Sequence, residues 1–188
     1  AYRNVYEKIK RIFSAERLRC ELFQRGTLMK PQVFYEKINN IIGDSTPFEK
    51  DCGMLCGAAC CKGEGGMYLF PHEKVLSEDF ETAESNFKVL EKNVPIMFCS
   101  GKCDRSRRPL ACRIFPLLPY ISPEGDFKII LDPRGKSMCP IAFSEDLSLI
   151  NKTFFRKVEF ICKILMLNPE TAEFIYELSR LCDEYKLF

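Results

Sequence analysis

The sequence predicts a mainly α fold with a small β-hairpin, in which helices enclose a cysteine-rich metal-binding centre. Apolar residues recur at helical spacing through long stretches on both sides of the middle of the chain. Alternation typical of two paired strands is confined to residues 117–131. Eight of the eleven cysteines fall between residues 52 and 139. These three observations together indicate helical flanks around a thiol-rich centre.

Size and composition are those of an ordinary soluble domain. The chain has 188 residues, of which 46% are apolar and 29% are charged. This length suffices to bury a substantial core. We therefore expect a single domain over 1–188, with a cysteine-cluster metal-binding core at 50–141 and helical flanks at 1–49 and 142–188.

Charge and hydropathy exclude two classes of partner. A formal net charge of +2 is too small to indicate nucleic acid. No apolar run approaches the ~20 residues that a membrane helix needs. The N-terminus lacks the apolar core of a signal peptide. We expect a cytoplasmic protein that binds a metal ion or cluster, with no nucleic acid and no membrane partner. A protein partner is not predicted.

The first half of the chain is predicted to be helical on both sides of the cysteine block. An amphipathic helix is expected over 2–25, and a second over 31–42, where proline stands at the first helical position. The inward residues of this second helix are Val33, Phe34, Ile38 and Ile42. A short strand is expected over 67–70 and a helix over 71–93. The apolar side of that helix carries Val75, Leu76, Phe80, Phe87 and Leu90.

The second half contains the predicted hairpin and two further helices. The hairpin strands are 117–121 and 127–131, joined by a Ser-Pro-Glu-Gly turn. A helix is expected over 145–167, and Asn168-Pro169 is a strong start signal for the last one. The buried residues of these two helices are Leu149, Phe154, Val158, Ile161 and Leu165, then Phe174, Ile175, Leu178 and Leu181.

The cysteines favour metal ligation over disulfides. Disulfide scaffolds are mostly small chains that cannot build a core. Adjacent cysteines, such as Cys60 and Cys61, rarely bond to each other. The candidate ligands are Cys52, Cys56, Cys60, Cys61, Cys99, Cys103, Cys112 and Cys139. The other three, Cys20, Cys162 and Cys182, lie on the helical flanks, where a thiol behaves as a small apolar group.

The ligand type and the cysteine spacing limit which metals the centre could bind. Thiolates select zinc, copper(I) or iron–sulfur clusters. Eight of them could fill two tetrahedral zinc sites, or serve one cluster and leave other thiols over. Zinc knuckles usually place two residues between paired cysteines, but here the interval is three, twice. With apolar neighbours, this spacing favours an iron–sulfur cluster over zinc. His72, the single histidine, is expected at the surface.

Two arginines are candidates for holding the centre in place. Arg108 and Arg113 flank Cys112, and their guanidinium groups could donate hydrogen bonds to ligand sulfurs. The alternative is a solvated basic loop, and the residue pattern leaves both open. We therefore treat these two arginines as candidate cofactor-binding residues.

The cysteine block resembles a known family. Cys52-x3-Cys56-x3-Cys60-Cys61 is similar to the signature of the CxxCxxCC, or YkgJ-type, cysteine-cluster family of zinc- or iron-chelating proteins. Residues 101–116, with Arg108-Pro-Leu-Ala-Cys112-Arg113 at their centre, resemble its second signature, and Cys139-Pro140 its last cysteine. The resemblance covers residues 50–141 and implies metal chelation. It leaves the biochemical role unsettled.

Two functions are open at this point. The first is a metal-chelating protein, since the chain has no phosphate-binding loop and a single histidine to act as a catalytic base. The second is implied by the resemblance alone: a metal-dependent enzyme of methyl-transfer type, similar to flagellin lysine N-methylase. Catalytic residues are not predicted for it, and analogy by family is a weak warrant for function.

Overall fold

A computed structural model describes residues 30–62, 65–74, 80–101 and 104–185. The predicted helix over 2–25, together with Cys20 and Cys103, lies outside these residues. The described α-helices are α1 (Pro31–Ile42), α2 (Cys52–Cys56), α3 (Ala59–Lys62), α4 (Leu110–Ile114), α5 (Pro140–Ser144), α6 (Lys152–Leu165) and α7 (Pro169–Tyr185). The described strands are β1 (Met67–Tyr68), β2 (Phe80–Val89), β3 (Lys92–Cys99), β4 (Leu117–Ile121) and β5 (Phe127–Leu131).

The strands form two antiparallel sheets, so the prediction of a mainly α fold with one small hairpin is wrong. One sheet has three strands in the order β1-β3-β2, and the other is the β4–β5 hairpin. Both sheets contribute to the neighbourhood of the cysteines, because β3 ends at Cys99 and β4 follows α4 directly. The chain is therefore a mixed helix-and-sheet fold.

The error in fold class comes from residues 71–93, which were predicted to form a helix. Residues 80–89 of this stretch are strand β2, whose buried residues lie at its two ends, Phe80 and Val89. The glutamates, alanine and lysine between them suit a helix, but pairing with β3 decides the conformation. The turn is Leu90-Glu91, and both residues have positive φ, 49° and 61°. Tight hairpin turns usually have Asn or Gly at such positions, and neither residue is present here.

Most of the other predicted elements are confirmed. Helix α1 and strands β4 and β5 have the predicted bounds. Helix α7 begins at Pro169, and the backbone N–H of Glu170 donates to Asn168 Oδ1 at 2.9 Å. The helix predicted over 145–167 begins only at residue 152, because a short 3₁₀ turn precedes it. Three residues predicted to face inward, Val33, Leu90 and Leu149, are exposed.

The main core lies between α1, α6, α7 and the β4–β5 hairpin. Strand β4 is buried along its whole length, and α7 covers the edge that β5 does not pair. The backbone N–H of Ile121 donates to Ser179 Oγ at 2.9 Å, and Tyr120 Oη donates to Asp183 at 2.7 Å. Ser179 of α7 thus accepts a hydrogen bond from a backbone group of β4 that another strand would otherwise pair. None of the described helices is long and apolar enough to cross a membrane.

Candidate metal centre

The cysteine-rich block folds as two short helices with a sharp turn between them. The Asp51 carboxylate caps α2 by accepting a hydrogen bond from the backbone N–H of Gly53 at 3.0 Å. Helix α2 ends at Cys56, and the next two residues, Gly57 and Ala58, both have positive φ. Two such residues in succession stop a helix and redirect the chain. Cys56 and Cys60 are therefore carried by different helices although only three residues separate them.

Four thiols line a first cavity of about 70 Å³, which we call the first thiol cavity. Helix α3 supplies Cys60 and Cys61, the end of β3 supplies Cys99, and α4 supplies Cys112. The described residues of the rest of its wall are apolar or glycine, apart from Arg108. They are Gly65, Gly66, Met67, Phe80, Met97, Phe115 and Met138.

Four thiols also line a neighbouring cavity of about 190 Å³, the second thiol cavity. Helix α2 supplies Cys52 and Cys56, α3 supplies Cys60, and the residue before α5 is Cys139. The remaining described lining is apolar: Phe48, Leu55, Phe115, Pro116, Met138, Pro140 and Ile141. Because Cys60 belongs to both linings, the two cavities adjoin each other. Seven of the eight predicted ligands thus line one pair of adjoining cavities, and the eighth, Cys103, lies outside the described residues.

The wall shared by the two thiol cavities consists of Cys60, Phe115 and Met138. The position of Phe115 depends on Gly135. A Cβ atom at Gly135 would lie 2.8 Å from two atoms of the Phe115 ring, closer than such atoms approach in real structures. Glycine is therefore required for the ring to occupy this position.

The thiols share cavities but do not stand at ligand distances. Within the described ranges, no three Cys, His, Asp or Glu side chains form a group that could hold a metal ion. Zinc sites place four sulfurs at about 2.3 Å from the metal. The lining residues therefore fit a thiolate-bound metal in donor chemistry and in number, four per cavity, but their sulfurs would have to move together to bind it.

The thiol of Cys61 donates a hydrogen bond to the sulfur of Cys60 and lowers the pKa of Cys60 below its ordinary value. Burial and the neighbouring Cys52, Cys56 and Cys112 oppose this shift. Cys60 lines both thiol cavities and so lies between the two sets of cysteines. A thiolate, rather than a thiol, is the form that reacts with metals.

The structure separates the two candidate arginines. Arg108 lines the first thiol cavity. Arg113 Nε donates to the Arg108 carbonyl at 2.8 Å, and its Nη2 donates to the Ser106 carbonyl at 2.5 Å. These two bonds stabilise the loop before α4, and through it the position of Arg108. The hydrogen bonds from either guanidinium to a ligand sulfur stay a prediction.

Three further residues lie away from the thiol cavities. His72 Nε2 is 2.5 Å from Glu170 Oε2, and both side chains are about half exposed. Cys162 and Cys182 are fully buried in the main core. Burial raises the pKa of the Cys162 thiol far above its ordinary value, so this thiol is unsuited to ligation.

Sequence reasoning missed the methionines of the first thiol cavity: Met67, Met97 and Met138. Thioethers are soft donors and adaptable apolar side chains. One signal was available for Met97. Residues two apart in a strand share a face, so an extended stretch that ends at Cys99 places Met97 and Cys99 on the same side.

No protein-family model, no curated protein and no solved structure matches this chain. The resemblance to the cysteine-cluster family therefore stays a prediction that rests on the spacing of the cysteines.

Proposed function

We propose that this chain is a metal-chelating protein that binds an iron–sulfur cluster or zinc through its central cysteines. One observation carries the proposal: seven of the eight thiols singled out by spacing line two adjoining cavities that share Cys60. These thiols come from α2, α3, β3, α4 and the start of α5, spread over some 90 residues of sequence. Unrelated buried thiols would not be expected to converge in this way.

The packing of the cysteine helices supports the same proposal. Helices α2 and α3 have five and four residues, and neither buries a single side chain. Met54 and Leu55 of α2 are 82% and 66% exposed. Helices this short are unstable without tertiary packing. Ligation by Cys52, Cys56, Cys60 and Cys61 would supply the missing free energy, because metal binding by a folded site counts toward folding.

The test is metal analysis, with a visible absorption spectrum, of protein purified without oxygen. We expect bound iron with sulfide, or bound zinc, in a fixed ratio to the protein, and only the former gives strong visible absorption. Cys60→Ser should lower the metal content, since this residue belongs to both cavities. Metal-free wild-type protein under reducing conditions would overturn the proposal.

The control is a triple variant in which Cys20, Cys162 and Cys182 are changed to Ala. These thiols are excluded from the proposed centre, so the triple variant should keep its metal. Loss of metal from it, with the fold intact by circular dichroism, would show that the centre is misassigned. Because thiolate ligands must stay reduced, the proposal includes a cytoplasmic location.

The same preparation tests the methyl-transfer alternative. Titration of the metal-loaded protein with S-adenosylmethionine should give no saturable binding if the chain is a chelating protein. Saturable binding would favour the enzyme.

A further inference from the structure

A second kind of cavity lies beside the thiol cavities, and nothing in the metal proposal uses it. It has a volume of about 350 Å³ and lies between α1 and the loop that precedes α4. We call it the polar cavity. Its described lining is Gln32, Tyr35, Glu36, Asn39, Glu73, Lys74, Ser106, Arg107, Arg108 and Pro109. This volume is at the lower end of the range found for small-molecule sites.

Two hydrogen-bond acceptors of the lining lack donors. Glu73 Oε1 accepts a 2.6 Å hydrogen bond from the backbone N–H of Leu110. Its second oxygen, Oε2, is buried and has no partner among the described residues, and the same holds for Asn39 Oδ1. An acceptor left in this state costs about 1–3 kcal/mol. A ligand group with at least two hydrogen-bond donors would therefore suit the polar cavity.

Cations also belong to this lining. Lys74, Arg107 and Arg108 carry three positive charges, and the acidic side chains are Glu36 and Glu73. Lys74 and Arg107 are exposed, whereas the two acceptor atoms are buried. The acceptors of this lining thus belong to its buried side, and the positive charge of Lys74 and Arg107 belongs to its exposed side. Carboxylates pair well with both lysine and arginine.

We propose that the polar cavity binds a small zwitterion, with its primary ammonium group on Glu73 Oε2 and Asn39 Oδ1 and its carboxylate on Lys74 and Arg107. A primary ammonium has three N–H donors, enough for both acceptors, and it carries the charge that a buried carboxylate needs as a partner. Free amino acids and short peptides belong to this class. The inference is independent of the metal, although Arg108 lines both the polar cavity and the first thiol cavity.

The test is isothermal titration of the full, metal-loaded chain at pH 8 with glycine, L-lysine, L-glutamate and glycylglycine. Methylammonium and acetate, each carrying one half of the zwitterion, are the comparison probes. At least one zwitterion should bind about tenfold or more tightly than either half. No saturable binding by any of the four would overturn the proposal and leave a water-filled cavity, since buried polar cavities are normally hydrated.

Two variants assign the binding to this cavity. Glu73→Gln keeps the shape and an acceptor for Leu110, but it removes the carboxylate, so zwitterion affinity should fall about tenfold or more. Lys74→Gln changes an exposed side chain, so this variant should fold normally. It should weaken the binding of zwitterions but not of methylammonium. Lys92→Gln, on β3 and outside this lining, is the matched control. If zwitterion affinity is unchanged in both Glu73→Gln and Lys74→Gln, the assignment to this cavity is refuted. The metal content of all three variants should equal that of the wild type, so a failure of this proposal can be distinguished from a failure of the metal proposal.

Discussion

At the scale of single residues, Gly135 determines whether the wall between the thiol cavities can form. We predict that Gly135→Ala destabilises the protein by about 1–3 kcal/mol, because the added methyl group would overlap the Phe115 ring and a packed interior cannot absorb it without strain. Displacement of Phe115 should also lower the metal content. Urea unfolding and metal analysis of the same preparation measure both effects.

Gly65→Ala is the matched control for that substitution. Gly65 also lines the first thiol cavity, but its added methyl group would lie 3.6 Å from Met138 Cε, an ordinary contact. The free energy of unfolding of this variant should equal that of the wild type to within a few tenths of a kcal/mol. Equal destabilisation by both alanines would contradict the role given to Phe115.

Glu73 should make the stability of the protein depend on pH. Burial raises its pKa to about 7 from an ordinary value of 4.5, against the lowering effects of the Leu110 N–H and of Arg113. The folded chain therefore keeps this proton to a higher pH than the unfolded chain does. The resulting stabilisation is complete below about pH 4.5 and is lost as the pH rises to 7. Its size is about 3 kcal/mol, at ~1.4 kcal/mol per pKa unit.

The measurement is the free energy of unfolding of wild type and Glu73→Gln across pH 4.5–8. Glutamine does not titrate, so the wild type should lose stability relative to the variant through this window. A difference between the two proteins that stays constant with pH would show that the carboxylate titrates normally.

The cysteines are the part of the candidate site that carries a signal in the sequence, because soft ligands at regular spacing show their chemistry in the residue type itself. Seven of the eight line the two thiol cavities, and their role as metal ligands stays a prediction. Glu73 and Asn39 carried no such signal. Glu73 is positioned by a hydrogen bond from Leu110, 37 residues further along the chain, and both side chains owe their buried oxygen atoms to the tertiary structure.

At the scale of elements, the β2–β3 turn shows why local pattern failed. Leu90 is 57% exposed and, with Glu91, adopts a conformation that is unfavourable for residues with a Cβ. The pairing of β2 with β3 imposes this turn, whereas the local sequence favours a helix. By contrast, the β4–β5 hairpin was predicted correctly because a Ser-Pro-Glu-Gly turn signal separates its strands, and Gly125 takes the positive φ of 87° in that turn.

This difference leads to a prediction for the turn itself. Replacing Leu90 by Asn and Glu91 by Gly should stabilise the protein by about 1 kcal/mol, because Asn-Gly suits two successive left-handed residues. Thermal unfolding of the double variant gives the measurement. Lys92→Gly, one residue further on and inside β3, should instead destabilise, since glycine weakens a strand. Stabilisation by both changes would mean that the gain does not come from the turn.

At the scale of the whole molecule, the described helices differ in how much apolar surface they bury. Helices α6 and α7 bury continuous apolar faces against α1 and β4, and their residues include Cys162 and Cys182 at 0% exposure. Helices α2 and α3 have no fully buried side chain. A domain built this way need not unfold as one unit, because local opening follows the local density of buried contacts.

The last prediction tests this difference between the helices. Removing the metal with a chelator under reducing conditions should speed amide hydrogen exchange first in residues 52–62, where ligation is the proposed source of order. Exchange in α6, α7 and β4 should stay slow, because their apolar packing does not involve the thiols. Cys60→Ser should reproduce the pattern without chelator, and Cys182→Ala should not. If residues 52–62 keep full protection after the metal is gone, their fold does not depend on it. The converging thiols would then require a chemical explanation in place of a structural one.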